Sequence, residues 1–390
     1  MAITKICIIG LEDYAMLTGD SSYGYIGGES VQHVLLARAW RDLGLDVSIV
    51  VHDHGQPRVT TVDGIRAVAA YRMDEGIRMV RFFHPRLSSV LRAMRQVGAD
   101  VYYQSPAGSW SGVAVWFAKQ VGKRSIVRIA GDNDCRRGQQ PMRHRRDRWL
   151  FDYAVRNASL LAAQTEKQRA LLVHNYGVNS EILDIAVDAA NPAAARSKDI
   201  DVLWVGNLRH VKRPDLVLEL ARRLPGYRFA IVGGSVPSGK AYFERIAEEA
   251  KSLPNVVMTG AVSYDAVGEW FERSRIHVNT SDSEGFPNTF LQAWIRSVPV
   301  VSFFDPDGLI ERRNLGRRCV DLDDMCAAIG QLLRDPAASA AIGARARAFV
   351  SHQYSARHIA LKYLELLERR RASPLESKLD DRSVGAVREL

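Results

Sequence analysis

The stretch SDSEGFPNTFLQAWIRSVPVVSFF, from Ser281 to Phe304, gathers side chains suited to chemistry. It places a carboxylate, Glu284, on a loop; Gly285, Phe286 and Pro287 form a turn, and a short helix NTFLQAWIRS then carries a lone amide, Gln292. The first backbone N–H groups of such a helix, around Asn288 and Thr289, lack intrahelical acceptors and carry the positive end of the helix dipole. They favour a phosphate. Gly285 lets the backbone come close to a ligand, and Pro287 removes a donor and fixes the entry into the helix. Helical side chains lean toward the N-terminus, which brings Gln292, one turn in, back toward the same spot. One loop and helix thus offer a carboxylate for hydroxyls, a phosphate cradle and an amide, a set that suits a nucleotide sugar. The same residues also describe a plain helix capped by Asn288 or Thr289, with Glu284 on a solvent loop.

Such a loop must be held at the end of a strand, and the flanking sequence predicts one. RIHVNTS precedes it as an apolar strand. Around it the strands DVLWVGNL, YRFAIVGG and NVVMTG alternate with the helices DLVLELARRLP, YFERIAEEAKSL and AVGEWFERS. The first half reads the same way. Strand KICIIG, a Gly- and Tyr-rich loop, helix VQHVLLARAWRDLG and strand DVSIVV form a βαβ unit, and ADVYYQS, RSIVRIAG and LLAAQT continue it. The helix shows one apolar face at Val31, Val34, Leu35, Ala39 and Leu43. The fold class is therefore α/β, with two Rossmann-like halves joined by a linker-like stretch, DAANPAAARSKDI. The expected units are residues 1–187, residues 199–354, a helix over 355–371 and a polar tail, 372–390.

Bulk properties narrow the class. The 390 residues exceed one ordinary core, and 47% apolar with 25% charged content is that of a globular enzyme. No apolar run is long enough to span a bilayer. MAITKICIIG lacks the pattern of a signal peptide, and Cys7, Cys135, Cys319 and Cys326 show no CxxC spacing, so reduced thiols in a cytoplasmic protein are expected, without a zinc site. The net charge of +9 points to anionic partners such as nucleotide phosphates or a membrane surface. Between Lys123 and Arg148, nine Lys/Arg stand against three Asp, a local excess of six that also fits a solvated face. In HRRDRWLFDYAVRNAS the arginines interleave with Trp149, Leu150, Phe151 and Tyr153, which reads either as a device for anionic headgroups or as a core face with solvated cations. No nucleic-acid motif is present.

At this point the chain resembles a known family. The second half is similar to the retaining nucleotide-sugar glycosyltransferases of family 4 (glycosyl transferases group 1), whose GT-B fold has two facing Rossmann-like domains and a central cleft. EGFPNTFLQ matches the family's Glu-x7-Glu motif from Glu284 onward, with Gln292 in place of the second glutamate. GNLRHVKRPD, VGG, NVVMTGAV and VPVVSF follow in the family's order. The resemblance implies that Lys212 holds the donor diphosphate and that Glu284 contacts the transferred sugar. It implies that Gln292 holds the ribose, and that Gly27, Gly28, Gly206 and Val262 border the donor. The family's arginine after the loop glycine is Asn207 here, which leaves its task to Arg209. The family's histidine near the reacting carbon is Ala130, and Asp132 is the nearest ionisable group for positioning an acceptor.

The resemblance thus implies a retaining hexosyltransferase, with a UDP- or GDP-linked donor and a glycan or lipid-linked saccharide acceptor in surface polysaccharide or glycoconjugate synthesis. It also implies no metal and no cofactor. DND at Asp132–Asp134 spells a metal-binding DxD of another fold, a three-residue match common by chance. Peripheral placement at the inner membrane face fits a lipid-linked acceptor. The resemblance assigns the acceptor to the first unit, residues 1–187, and the nucleotide-sugar donor to the second, residues 199–354, and the helix after Arg357 is expected to cross back onto the first domain. Ala130 and Gln292 keep two alternatives open, a nucleotide-sugar-binding protein without transfer and a sugar-nucleotide epimerase of the same fold.

Overall fold

The computed structural model describes residues 2–372 apart from 25, 78, 141, 189–196 and 237–238. Most of the expected linker and nearly all of the polar tail lie outside the described residues. The chain builds two sheets. The first contains β1 (Lys5–Ile9), β2 (Asp46–Val51), β3 (Val59–Val62), β4 (Ile65–Ala69), β5 (Val101–Gln104), β6 (Arg124–Arg128), β7 (Leu160–Ala163) and β8 (Glu181–Ile182). The second contains β9 (Ile200–Val205), β10 (Phe229–Val232), β11 (Val256–Gly260), β12 (Ser274–Asn279), β13 (Val300–Ser302) and β14 (Gly316–Arg318).

The strand orders are β3-β4-β2-β1-β5-β6-β7-β8 and β11-β10-β9-β12-β13-β14. Every pairing is parallel except β3 with β4, an antiparallel edge hairpin. Its turn, Asp63 and Gly64 with φ of 51° and 72°, has the two positive φ angles for which Asp-Gly is suited. Helices cover both faces of each sheet, so the central strands are buried throughout and read as continuous apolar runs. In each sheet the winding direction reverses once, at β1/β5 and at β9/β12. Loops leave these switch points on opposite sides and open a crevice at the strands' carboxyl ends.

Two elements differ from expectation. Helix Gly28–Asp42 starts three residues before Val31 and is buried on most of its surface, not on one stripe. The cause is the C-terminal helix Ala356–Ala372, which returns to the first sheet and lays Ile359, Ala360, Tyr363 and Leu367 into that core. Trp40 Nε1 donates to the Ala360 carbonyl at 3.2 Å, tying the two helices together. The basic run is not one solvated face either. Arg128 is 1% exposed, and Arg146 lies over the Phe82 ring at 3.4 Å.

Candidate functional site

A cleft of about 830 Å³ lies between the sheets, lined by the loops that leave β1, β5, β6 and β7 on one side and β9–β12 on the other. Every residue given a donor or acceptor role from the sequence lines it: Gly27, Gly28, Asp132, Gly206, Arg209, Lys212, Val262, Glu284, Gly285, Phe286, Pro287, Asn288, Thr289 and Gln292.

Its centre is an ion pair. Lys212 Nζ lies 2.6 Å from both carboxylate oxygens of Glu284, and the two side chains are 21% and 9% exposed. The switch point brings them together: Lys212 ends a turn after β9, and Glu284 follows β12, the neighbouring strand. Thr280 Oγ1 sits 2.9 Å from the carbonyls of Lys212 and Arg213, and Asp282 N donates to the Val211 carbonyl at 2.9 Å, so the two loops move as one. Ser281 Oγ donates to Glu284 Oε1 at 2.6 Å and Asn279 Nδ2 at 3.3 Å, fixing the carboxylate further. Helix Asn288–Ile295 begins beside it with Pro287 as N-cap and no side-chain cap, which leaves first-turn N–H groups available to a ligand. Gln292 is buried and hydrogen-bonds the Tyr264 phenol.

Instead of capping its helix, Asn288 reaches across the cleft. Its Nδ2 donates to the Gly28 carbonyl at 2.9 Å, and its Oδ1 accepts from Gln32 Nε2 at 3.0 Å. Asn207, standing where the family has arginine, donates to the Ile26 carbonyl at 3.2 Å and so bridges the two halves. Phe286 N donates to Gln164 Oε1 at 2.9 Å. Gly285 lies so close to Ala130 that a Cβ there would stand 2.0 Å from the Ala130 carbonyl oxygen. The family's histidine position is thus a backbone contact surface for the donor loop.

Beside the expected Asp132, the first sheet contributes groups given no role from the sequence. Glu29 follows the glycine pair and accepts at Oε2 from Arg128 Nη2 at 2.5 Å and from Ser105 Oγ at 2.6 Å. Arg128 Nε also donates to the Tyr103 hydroxyl at 2.9 Å. Asp132 pairs with Lys167 Nζ at 2.6 Å. Asp134 is buried and accepts at one oxygen from Ala130 N and Gly131 N, both at 3.1 Å. Burial raises its carboxyl to about 6, with Glu29 and Asp132 adding to the shift against those two hydrogen bonds. A charge inside an apolar strand (Arg128) was the signal that could have been read.

Comparison with known proteins agrees with this architecture. Residues 188–349 match the family model described as glycosyl transferases group 1, and residues 27–185 match the glycosyl transferase 4-like domain. The chain belongs to this family, the GT-B glycosyltransferases of the family 4 type. It is 29% identical over 181 residues to a D-inositol 3-phosphate glycosyltransferase of Mycolicibacterium paratuberculosis, covering 44% of this chain and 40% of that protein. The enzyme of the same description from Kineococcus radiotolerans is 28% identical over 230 residues, 49% of this chain and 53% of that one. The chain spans about half the length of the curated relatives it matches. The fold is shared with sucrose-phosphate synthase from Thermosynechococcus elongatus, at a TM-score of 0.76 and 16% identity over 95% of this chain and 100% of that one. It is shared too with HepE of Anabaena in complex with UDP and glucose, at 0.74 and 14% over 94% and 100%.

Proposed function

We propose that the chain is a retaining, metal-independent glycosyltransferase that moves a hexose from a UDP-linked donor to a saccharide acceptor. The observation that carries this reading is the Lys212–Glu284 pair at the open N-terminus of helix Asn288–Ile295. Lys212 and Arg209 neutralise the charge that grows on the leaving diphosphate, the electrostatic task that dominates such a transfer. The helix start adds N–H donors to the same phosphates. Glu284 accepts from hydroxyls of the transferred sugar, and Gln292 reaches the ribose as a neutral amide, without charge assistance. The anomeric carbon–phosphate oxygen bond breaks, the acceptor oxygen bonds that carbon on the same face, and the acceptor proton passes to the departing phosphate. Lys212 and Arg209 would serve the diphosphate in the place a metal ion takes in other transferases. The UDP-bound state of the HepE structure favours uracil over guanine as the base.

The first domain also carries an exposed apolar patch that supports a lipid-linked acceptor at an anionic membrane face. Met73, Ile77, Met79 and Phe83 are 62% to 91% exposed, and Trp149 is 66% exposed. Arg146, stacked on Phe82, joins the two segments. Phe151 of the same helix is buried, whereas Trp149 faces outward with the partly exposed Tyr153 stacked beside it.

The test is thermal unfolding with UDP and GDP, with and without a chelator, paired with turnover of Glu284→Ala. At about 100 times its dissociation constant UDP adds roughly 2.7 kcal/mol, a shift of several degrees that the chelator leaves intact. Glu284→Ala keeps UDP affinity within a few-fold and loses at least 100-fold in turnover. No shift with UDP, or an unchanged rate in the variant, overturns the reading.

A further inference from the structure

The turn after β13, which runs Asp305, Pro306, Asp307, Gly308, has no task in the reading above. Its first carboxylate serves its own domain: Asp305 accepts from Ile310 N at 2.8 Å and from Glu311 N at 3.2 Å, at the start of helix Leu309–Arg313. Its second carboxylate serves the other domain. Asp307 Oδ2 accepts from Glu166 N at 2.8 Å and Oδ1 from Lys167 N at 3.4 Å, the first two N–H groups of helix Glu166–Tyr176. The next two are met locally, Gln168 N by Thr165 Oγ1 and Arg169 N by the Thr165 carbonyl, both at 3.1 Å. The positive end of the helix dipole adds to the attraction for a carboxylate. To make this contact Asp307 holds a φ of 50°, in the left-handed region that aspartate tolerates but seldom adopts. Strain kept where it secures one specific contact points to a use for that contact.

We propose, on the transferase reading, that Asp307 is a positioning residue for the reaction: it latches the donor domain onto the first domain and so sets how much of the time the two walls of the cleft stand in reacting register. The helix that it holds begins at the cleft. Gln164, two residues before Glu166, accepts from Phe286 N and donates to the Ile129 carbonyl, both at 2.9 Å. Lys167 pairs with Asp132, which lines the cleft. Docking of Asp307 therefore fixes the backbone of the residues that meet the donor loop and Asp132. Rotation of one domain away from the other breaks the latch, and water then takes up the carboxylate and both N–H groups. Asp307 is exposed, so this exchange is close to balanced. The latch biases closure by about three- to tenfold and does not lock it. Arg209, Lys212, Glu284 and helix Asn288–Ile295 all lie on the second domain, so UDP affinity does not depend on the latch.

The experiment replaces Asp307 by Gly and by Asn. Glycine adopts the same φ without strain, so Asp307→Gly removes the carboxylate and leaves the turn its shape. Asparagine also tolerates this φ and keeps one neutral oxygen. Three readouts are taken: hydrolysis of UDP-glucose and its transfer to methyl hexosides, UDP affinity by calorimetry, and the open and closed populations by single-molecule energy transfer between one dye on each domain. Asp307→Gly is expected to raise the open-to-closed ratio about three- to tenfold and to lower kcat at least threefold, with UDP affinity within twofold and an unchanged melting temperature. Asp307→Asn falls between the two proteins. In 1 M NaCl the energy-transfer difference between the unaltered protein and Asp307→Gly narrows, because an exposed charge is screened. An unchanged open fraction in Asp307→Gly overturns the proposal, whether or not UDP-glucose is turned over. So does a loss of UDP affinity as large as the loss in kcat, which would mean that the donor site itself had been damaged. Absence of both UDP binding and donor hydrolysis in the unaltered protein would instead sink the transferase reading, with the latch still judged by the open fraction.

Discussion

Gly285 lies at the point where the two halves touch beside the donor loop, and its replacement by alanine is the sharpest test of how the cleft is assembled. The added Cβ would stand 2.0 Å from the Ala130 carbonyl oxygen and 3.1 Å from Gln164 Oε1. Carbon and oxygen do not approach within about 3 Å, and a backbone carbonyl cannot rotate away as a side-chain tip can. The loop after β12 must therefore retreat by about 1 Å from the turn after β6. The Phe286 N to Gln164 bond, 2.9 Å long, lengthens in the same movement. Glu284 and the helix start go with the second domain, so the reacting groups on the two walls move apart. A misplacement of about 1 Å costs on the order of 100-fold in rate, or about 2.7 kcal/mol of barrier.

UDP affinity should respond differently. The Gly206 loop, Lys212 and helix Asn288–Ile295 all belong to the second domain and shift as one body. Gly285→Ala is expected to lower kcat about 100-fold while the UDP dissociation constant stays within about threefold. Initial rates of transfer or donor hydrolysis, with UDP titrated by calorimetry, read the two effects separately. A Gly285→Ala protein with the original kcat would refute the close contact. A loss of UDP affinity as large as the loss in rate would show instead that the loop itself had collapsed.

Two further outcomes concern stability. The Asp134 carboxyl is raised to about 6 by burial from an ordinary 3.8, so the native state holds its proton over a range where the unfolded chain has lost it. Stability from this group therefore falls as pH rises from about 4 to about 6, and Asp134→Asn should gain up to about 3 kcal/mol at pH 7.5 and almost nothing at pH 4. Urea midpoints of both proteins at the two pH values check the sign, and an equal offset at both would count against it. Leu367, 1% exposed on the returning C-terminal helix, should cost about 2–5 kcal/mol when cut to alanine, while UDP binding by the second domain survives. Denaturant unfolding followed with bound UDP separates the two.

How far the chain could be read before its structure depended on how local each signal was. The central strands are apolar runs between turn residues because both sheet faces are covered, and that pattern needs only a short window of sequence. Glu284 through Gln292 was legible for the same reason: a loop and one helix turn hold the whole donor motif in nine consecutive residues. The β3–β4 hairpin went unread, although the Asp-Gly pair in VTTVDGIRAVA lies between apolar stretches and is a short-range hairpin signal. Gln164 gave less away. It stands at the end of β7, where ligand-facing residues gather, yet its partner Phe286 lies 122 positions later.

Charge counting failed for a physical reason. Arg128 entered the tally from Lys123 to Arg148 as one more surface cation, because net charge carries no information on burial. Its neighbours in the strand argued otherwise: Ser125, Ile126, Val127 and Ile129 are all buried, and a cation in such a run survives only with a partner. The partner, Glu29, is 99 residues away and could not be named from spacing. What brings them together is the order of the sheet. Helix Gly28–Asp42 starts over the β1/β5 switch point and β6 lies next to β5, so the end of β6 faces the helix start. The second sheet repeats the arrangement with β9 and β12, and there the same logic joins Lys212 to Glu284. Each wall of the cleft is thus centred on one ion pair set by one reversal of winding. Taking the cation from either pair leaves a carboxylate without its partner, so Arg128→Met, at the more deeply buried of the two cations, should lower the urea midpoint more than Lys212→Met, and equal losses would count against the difference in burial.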